Sequence, residues 1–351
     1  MSVNNSNRLP GEERGSVVLG DKPPRLGMEA LQLSGVERPT PSGTTELPPC
    51  GEERYDIGFG EIIRFTPSVI RTDVTTDEPV APLLYIQGMN GDRKLEHIML
   101  YWAQHDQRQV MGLRYYNRPS TSPKPVKPGM RGYRPGAVIP ELDIQRTDDL
   151  LRMIAHLNDV DKMRVDEMLI VAESAGGPRA VLLANELVTS AKNHASSVPR
   201  VRLVLVDSAG LDDRSFLQTH VDAIKQGRNE RRARKSDTIA AGMIATLPRV
   251  KAIAKQQRDR PDQRAVAYVD IGSVLAAVSE SGVPVLVLSD KQDLAFRTAR
   301  IRQQMEVSGA AKHVELVQTN KGGHGVGLSR VALDTVIQKT REFEETGFTT
   351  A

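Results

Sequence analysis

Residues 168–177 read MLIVAESAGG, and the rest of the chain is interpreted from this stretch. Its apolar run ends at Ser174, two glycines follow, and the residues from Pro178 onward (PRAVLLANELV) have the spacing of an amphipathic helix. The pattern predicts a buried strand, a sharp turn and a helix, with Ser174 at the turn. A serine hydroxyl in that position projects from the backbone between small neighbours, as an attacking nucleophile requires.

Apolar strands alternate with helical patterns over most of the chain. The predicted strands cover residues 82–87, 109–113, 168–172, 201–206, 283–288 and 313–318. The predicted helices begin near Leu95, Thr147, Pro178, Leu294 and Ser329, and Thr147 has the residue type of an N-cap. This alternation predicts an α/β fold with a mostly parallel, doubly wound sheet that is covered on both faces.

The composition changes along the chain and divides it into segments. Residues 1–54 are rich in Pro, Gly, Ser, Glu and Arg, which predicts a disordered or loosely packed leader. The predicted core covers residues 55–210 and 282–351, and it begins with one or two antiparallel strands within residues 55–70. Residues 211–281 interrupt the strand–helix rhythm with helical patterns and are predicted to be an insertion.

Composition and charge exclude several classes of protein. The 351 residues are 39% hydrophobic and 26% charged, with a formal net charge of +3, which is typical of a globular protein. Aromatic residues make up 4%, so stacking platforms for single-stranded nucleic acid are not expected. The single cysteine, Cys50, excludes an intramolecular disulfide and a thiolate zinc site. The chain has no apolar run of about 18 residues and no signal-peptide core, which predicts no transmembrane segment and a cytoplasmic location.

A nucleophilic serine needs a base, an acid that orients the base, and donors for the oxyanion. In an open parallel sheet these groups lie on loops at the carboxyl ends of the strands. The predicted base is His324, because it lies in the glycine-rich loop NKGGHG (residues 320–325) between the last strand and the last helix. The other six histidines are interpreted as surface or partly buried side chains; they are His97, His105, His156, His194, His220 and His313.

Carboxylates after the neighbouring strands are the candidates for the acid. Asp293 follows the second-last strand and is the predicted partner of His324. Asp290 is the alternative acid, but a carboxylate directly at a strand end often caps the turn instead. Asp207, at the end of the strand that follows the serine helix, is a third option and is interpreted as structural.

Backbone amides are the predicted oxyanion donors. One is the N–H of Ala175, directly after the nucleophile, at a helix N-terminus whose dipole also favours negative charge. The second is the N–H of Met89, in the turn GMNG (residues 88–91) that follows the first core strand. No metal or cofactor is expected, because the mechanism requires neither and the sequence has no P-loop and no H-E-x-x-H motif.

The order of the three candidate side chains resembles the α/β-hydrolase superfamily. Ser174, then Asp293, then His324 each follow a strand of the alternating pattern, and the resemblance covers roughly residues 80–345. It implies a serine hydrolase that cleaves an ester-type bond, a carboxylic ester or a thioester, in a small-molecule acyl substrate through an acyl-enzyme intermediate. Two alternatives stay open: an acyltransferase that uses the same triad, and a non-catalytic binding member of the fold. The oligomeric state stays open as well.

Two positions depart from the pattern of this superfamily. Ala172 stands where the motif G-x-S-x-G has its first glycine, and alanine is small enough for the turn. Gln87 precedes Gly88 where the superfamily usually has histidine before glycine. Haloalkane dehalogenases and epoxide hydrolases, which are relatives, use an aspartate in place of Ser174, so those two activities are disfavoured.

The resemblance further implies that residues 211–281 form a helical cap over the active site, where it controls the access of water. Within this segment, residues 225–260 contain eleven Lys and Arg against three Asp and Glu. We interpret this basic run as a solvated helix face. The alternative is that it attracts an anionic substrate, a membrane surface or an acidic partner. Its densest part, RNERRARK at 228–235, lacks interleaved aromatic residues, so nucleic-acid binding is not expected.

Overall fold

The computed structural model describes residues 47–73, 78–88, 95–116, 124–130, 133–160, 167–194, 200–212, 260–324 and 330–346. The strands are β1 (Cys50–Asp56), β2 (Gly60–Pro67), β3 (Leu83–Ile86), β4 (Val110–Tyr115), β5 (Glu167–Glu173), β6 (Arg200–Val206), β7 (Val285–Asp290) and β8 (Val314–Thr319). The helices are α1 (Leu95–Asp106), α2 (Glu141–Val160), α3 (Gly176–His194), α4 (Arg260–Tyr268), α5 (Gly272–Glu280), α6 (Thr298–Ser308) and α7 (Arg330–Thr346).

The eight strands form one sheet in the order β1-β2-β4-β3-β5-β6-β7-β8. β1 pairs antiparallel with β2, and β2 pairs antiparallel with β4. Every neighbouring pair from β4 to β8 is parallel. The prediction of a mostly parallel α/β sheet is therefore confirmed. β1 begins at Cys50, inside the segment predicted to be a leader, while residues 1–46 lie outside the described part of the chain.

The central strands are buried on both faces, which explains their continuous apolar sequences. In β5, Ile170 and Ala172 belong to a core that includes side chains of α2, α3, α5 and α6. Leu169 and Val171 belong to a second core that includes side chains of α1 and α7. Because successive side chains point to opposite faces of a strand, helices cover both faces of the sheet. The doubly wound arrangement is as predicted.

Helix α2 begins at Glu141, and Thr147 lies inside it, so the prediction of an N-cap at Thr147 is wrong. The Thr147 hydroxyl donates a hydrogen bond of 2.8 Å to the carbonyl oxygen of Asp143, four residues earlier. A threonine can satisfy its hydroxyl in this way in a helix interior as well as at a helix start. The residue type alone therefore did not locate the first turn.

The last part of the predicted insertion belongs to the core. Residues 213–259 lie outside the described residues, so the helical cap and its basic run stay predictions. Helix α5 lies inside the predicted insertion, which ends at residue 281. It nevertheless buries Val274 and Leu275 in the same core as Ile170 of β5. An amphipathic helix has the same periodicity in a cap and in a core layer, so periodicity could not separate the two.

Candidate active site

The carboxyl ends of β5, β6, β7 and β8 lie side by side at one edge of the sheet, because these four strands are parallel neighbours. Ser174 directly follows β5, Asp293 follows β7 by three residues and His324 follows β8 by five. The loops at this edge therefore bring together residues that are distant in sequence.

Ser174 occupies a strained turn between β5 and α3. Its φ angle is +51°, in the left-handed region that residues with a Cβ atom seldom adopt. Its N–H donates to the carbonyl oxygen of Val206 over 3.0 Å, and its own carbonyl oxygen accepts a hydrogen bond of 3.0 Å from the N–H of Ala209. Strand β6 and the residues after it thus hold the serine backbone in this conformation.

Glycines are required around this turn because the chain approaches its neighbours closely. A Cβ atom at Gly176 would collide with the carbonyl oxygen of Ile86, and one at Gly177 would collide with the side chain of Ser208. The turn from strand to helix can therefore be this tight only without side chains at both positions. The two glycines that marked the stretch in the sequence have a steric reason.

The side chains of Ser174, His324 and Asp293 form one line of hydrogen bonds. Nε2 of His324 lies 2.9 Å from Oγ of Ser174, and Nδ1 of His324 lies 2.8 Å from Oδ2 of Asp293. With Asp293 ionised, Nδ1 keeps its proton and donates a hydrogen bond to the carboxylate. Nε2 is then unprotonated and can accept the serine proton. The structure thus brings together three residues predicted as nucleophile, base and acid.

Asp293 is held by the backbone on its other side. Its Oδ1 accepts hydrogen bonds of 2.6 Å from the N–H of Ala295 and 3.1 Å from the N–H of Phe296. Burial acts to raise the pKa of Asp293, but the neighbouring His324 and the Phe296 N–H outweigh burial and hold the pKa below its ordinary value. Asp293 is therefore an ionised carboxylate that is fixed in place beside the imidazole.

Asp290, the alternative acid, organises the loops instead. It is fully buried, and its Oδ1 accepts hydrogen bonds from the N–H of Gln292 at 2.8 Å and of Gly323 at 3.2 Å. Its Oδ2 accepts hydrogen bonds from the N–H of Gly322 at 3.2 Å and from the hydroxyl of Thr319 at 3.3 Å. One carboxylate at the end of β7 therefore fastens the turn that precedes His324.

Asp207, the third option, pairs with a lysine that sequence reasoning missed. Asp207 follows β6, is fully buried and has a φ angle of +45°. Its Oδ1 accepts a 3.0 Å hydrogen bond from the N–H of Asp290, and its Oδ2 forms a salt bridge with Nζ of Lys321. Two features of the sequence could have indicated Lys321: a lysine inside the glycine-rich histidine loop after β8, and an aspartate at the end of β6, two strands away in the sheet.

The residues predicted as oxyanion donors are only partly described. Ala175 is buried between Ser174 and the first residue of α3. Met89 lies outside the described residues, but Gly88 before it is described and lies against the nucleophile. A Cβ atom at Gly88 would be 3.0 Å from Cβ of Ser174 and 3.1 Å from the carbonyl oxygen of Glu173. Gly88, the residue before Met89, therefore lies beside Ser174.

A metal ion does not suit this cluster. In the described ranges, one group of three possible ligand residues lies within 4.8 Å, formed by Asp207, Asp293 and His324. The ammonium of Lys321 already binds Asp207, and the hydrogen bond between His324 and Asp293 occupies the other two residues. A metal cation there would have to displace the Lys321 ammonium from Asp207 or the imidazole from Asp293, and the ammonium would repel it.

Among the described helices, none is long and apolar enough to span a membrane.

Comparisons with known proteins identify the fold. No protein-family model and no curated protein matches the sequence. An esterase from Pyrococcus furiosus has a similar structure, with a TM-score of 0.50, 11% sequence identity and coverage of 85% of this chain and 91% of that chain. Carboxyl esterase 2 from the mycorrhizal fungus Tuber melanosporum has a TM-score of 0.48 and 14% identity, with 89% of this chain and 90% of that chain covered. An enol-lactonase from Burkholderia xenovorans has a TM-score of 0.46 and 14% identity, with coverage of 83% and 99%.

These structural similarities are evidence for the fold and not for the chemistry. The strand order and the likeness to the Pyrococcus esterase show that the chain has the α/β-hydrolase fold, as the resemblance in sequence implied. One fold supports many activities, so the activity must be argued from the side chains of the site.

Proposed function

We propose that this protein is a serine hydrolase that cleaves an ester-type bond, a carboxylic ester or a thioester, through an acyl-enzyme intermediate. The observation that carries the proposal is the position of the His324 ring, with Nε2 at 2.9 Å from the Ser174 hydroxyl oxygen and Nδ1 at 2.8 Å from the Asp293 carboxylate. Likeness to esterases and an enol-lactonase is consistent with this chemistry.

In the first half of the reaction, Oγ of Ser174 attacks the acyl carbon and its proton moves to Nε2 of His324. The carboxylate of Asp293 stabilises the imidazolium ion through Nδ1 without taking its proton. The tetrahedral intermediate then collapses, the bond to the leaving oxygen or sulfur breaks, and the imidazolium gives its proton to the leaving group. The acyl group is now bound to Ser174 as an ester.

In the second half, Nε2 of His324 removes a proton from water, and the resulting hydroxide attacks the acyl-enzyme. Collapse of this second intermediate releases the carboxylic acid and returns the proton to Ser174. We assign the oxyanion site to the backbone N–H groups of Ala175 and Met89. Removal of one such donor costs about 2.7–4 kcal/mol of transition-state stabilisation in a well-studied serine protease.

The proposed substrate is a small molecule with an acyl group, and nucleic acid is not a proposed partner. The predicted cap within residues 211–281, of which residues 213–259 lie outside the described part, remains the proposed source of substrate selectivity. No metal or cofactor enters the proposed mechanism, because the serine, the imidazole and the carboxylate supply the nucleophile and every proton transfer.

The test is Ser174→Ala, measured by hydrolysis of p-nitrophenyl esters of graded chain length and by labelling with a fluorophosphonate. Both signals are expected to be lost, because the probe forms a bond to the activated serine oxygen. Ser208→Ala is the matched control, since its hydroxyl lies near the same turn and donates to the Ala209 carbonyl oxygen instead of to His324. Labelling of Ser174→Ala at the wild-type rate would refute the proposal. Product analysis with an added alcohol separates hydrolysis from acyl transfer.

A further inference from the structure

Two carboxylates approach the imidazole of His324, although the proposed mechanism uses one. A carboxylate oxygen of Asp207, one of Asp293 and a ring nitrogen of His324 all lie within 4.8 Å of one another. Asp293 forms the hydrogen bond to Nδ1. An opposite charge within about 4–6 Å of a titrating group shifts its pKa by about 1–3 units. The charge of a second carboxylate here would therefore favour the protonated form of His324.

Lys321 neutralises this second carboxylate. The side chains of Lys321 and Asp207 are both fully buried, and Nζ of Lys321 forms a salt bridge with Oδ2 of Asp207. Burial raises the pKa of Asp207, the charge of Lys321 opposes the rise and the charge of Asp293 adds to it. Without the ammonium, burial and the charge of Asp293 would raise the pKa of Asp207 further, and the charge balance beside the imidazole would change.

Lys321 also holds the backbone next to the base. Its Nζ donates a hydrogen bond to the carbonyl oxygen of Gly323, the residue before His324. Gly323 has a φ angle of +124°, so this carbonyl belongs to a turn that an ordinary residue would not form. One ammonium group therefore connects the end of β6 to the loop that places the imidazole.

We propose that Lys321 is a positioning residue of the active site: its ammonium neutralises Asp207 and fixes the Gly323 carbonyl, so that His324 pairs with Asp293. This inference rests on the proposed roles of Ser174, His324 and Asp293. Within the described part of the chain, charged groups at His324 come from the loops after three strands: Asp207 after β6, Asp293 after β7 and Lys321 after β8. Lys321 itself does not touch the reacting atoms.

The test measures the titration midpoint of His324 in three full-length variants. The probe is the proton NMR signal of Nδ1–H, followed with pH, together with the acid limb of kcat/KM for a p-nitrophenyl ester. Lys321→Met is expected to move the midpoint up, because the ionised fraction of Asp207 favours the imidazolium ion, but by less than a full carboxylate would, because burial and Asp293 drive part of Asp207 to take up a proton. Asp207→Asn is expected to move it down, because the unpaired ammonium disfavours that ion. The double variant is expected to return to the wild-type midpoint.

The kinetic constants test the contact with Gly323. The double variant keeps the charge balance but lacks the donor to the Gly323 carbonyl, so its kcat is expected to stay below the wild-type value with KM unchanged. If Lys321→Met fails to fold, Asp207→Asn and the double variant still give the comparison. An unchanged midpoint in Asp207→Asn, midpoint shifts of the same sign in both single variants, or a wild-type kcat in the double variant would each overturn the proposal.

Arg108→Met is the matched control for loss of a buried ion pair. Arg108 pairs with Asp106 between α1 and β4, and both side chains are as buried as those of Lys321 and Asp207. This pair lies at the amino end of β4, the edge of the sheet opposite Ser174. Arg108→Met is expected to lower the melting temperature and leave the His324 midpoint unchanged. Because the NMR signal needs no turnover, absence of esterase activity would count against the proposed function and leave this test intact.

Discussion

Replacement of Ser174 by glycine is expected to give a more stable protein than replacement by alanine. The φ angle of Ser174 is +51°, and left-handed backbone costs a residue with a Cβ atom about 1–2 kcal/mol. Glycine avoids this cost but loses about 0.4–1 kcal/mol through the greater entropy of its unfolded chain. The difference leaves Ser174→Gly more stable than Ser174→Ala by up to about 1.6 kcal/mol in free energy of unfolding, with a central value of about 0.8 kcal/mol. Both variants lack the hydroxyl, so neither is expected to be active.

Urea unfolding at equilibrium measures this difference. Trp102 is the chain's one tryptophan and is fully buried in the core beneath α1, so its fluorescence reports the transition. Ala175→Gly is the control, because Ala175 is not among the described residues with a positive φ angle. This control is expected to lose about 0.5–1 kcal/mol, the usual cost of glycine. A Ser174→Gly variant that is no more stable than Ser174→Ala would refute the argument that the turn stores strain.

Four further predictions concern residues of the candidate active site. Asp293→Asn is expected to lower kcat by about 10⁴-fold, because the imidazole then loses its correct tautomer, and steady-state kinetics measure this. The lowered pKa of Asp293 in the folded state also predicts that the protein loses stability in acid. Asp293 contributes its full stabilisation above its unfolded pKa of about 3.9, and this contribution is lost as the pH falls through the folded pKa. Asp290→Ala is expected to reduce the free energy of unfolding by about 2–4 kcal/mol in urea, because it strands buried backbone donors. Gly177→Ala is expected to give little folded protein, because its methyl group would collide with Ser208.

Each of these predictions can fail in a recognisable way. Wild-type kcat in Asp293→Asn would remove this carboxylate from the reaction. If acid unfolding of Asp293→Asn followed the same pH curve as the wild type, the lowered pKa of Asp293 would not contribute to stability. Loss of activity without loss of stability in Asp290→Ala would favour Asp290 as the acid. A folded, labelled Gly177→Ala protein would show that the turn tolerates a side chain.

Much of the central fold could be predicted because strands buried on both faces are continuous apolar runs, such as MLIVA in β5. The spatial order of the strands could not be predicted, since neighbours in the sheet are not neighbours in sequence. Residues 50–54 of β1 are predicted as part of the leader, because CGEERYD is mostly polar. Its pairing with β2, from Cys50 opposite Pro67 to Asp56 opposite Glu61, holds it in the sheet. Tertiary pairing thus outweighed local pattern there.

Candidate site residues could be predicted where chemistry and position agree. Ser174, Asp293 and His324 each combine a reactive side chain with a place in the loop that follows a strand, and the structure brings them into contact. Lys321 is not predicted as a site residue, because a lysine in a glycine-rich loop is usually solvated. Its burial becomes evident only when β6 lies beside the β7–β8 pair and brings Asp207 opposite it.

Ser174 and His324, which are hydrogen-bonded in the structure, are 150 residues apart in the sequence. Their meeting depends on parallel pairing from β5 through β8, which closes long loops and is therefore slow. In the proposed mechanism, the growing chain contains Ser174 long before His324 is made, so the nascent chain is expected to be inactive until the loop after β8 has emerged. During refolding, the onset of fluorophosphonate labelling of Ser174 is expected to report when the sheet is complete, whereas Trp102 fluorescence reports burial of the core around α1.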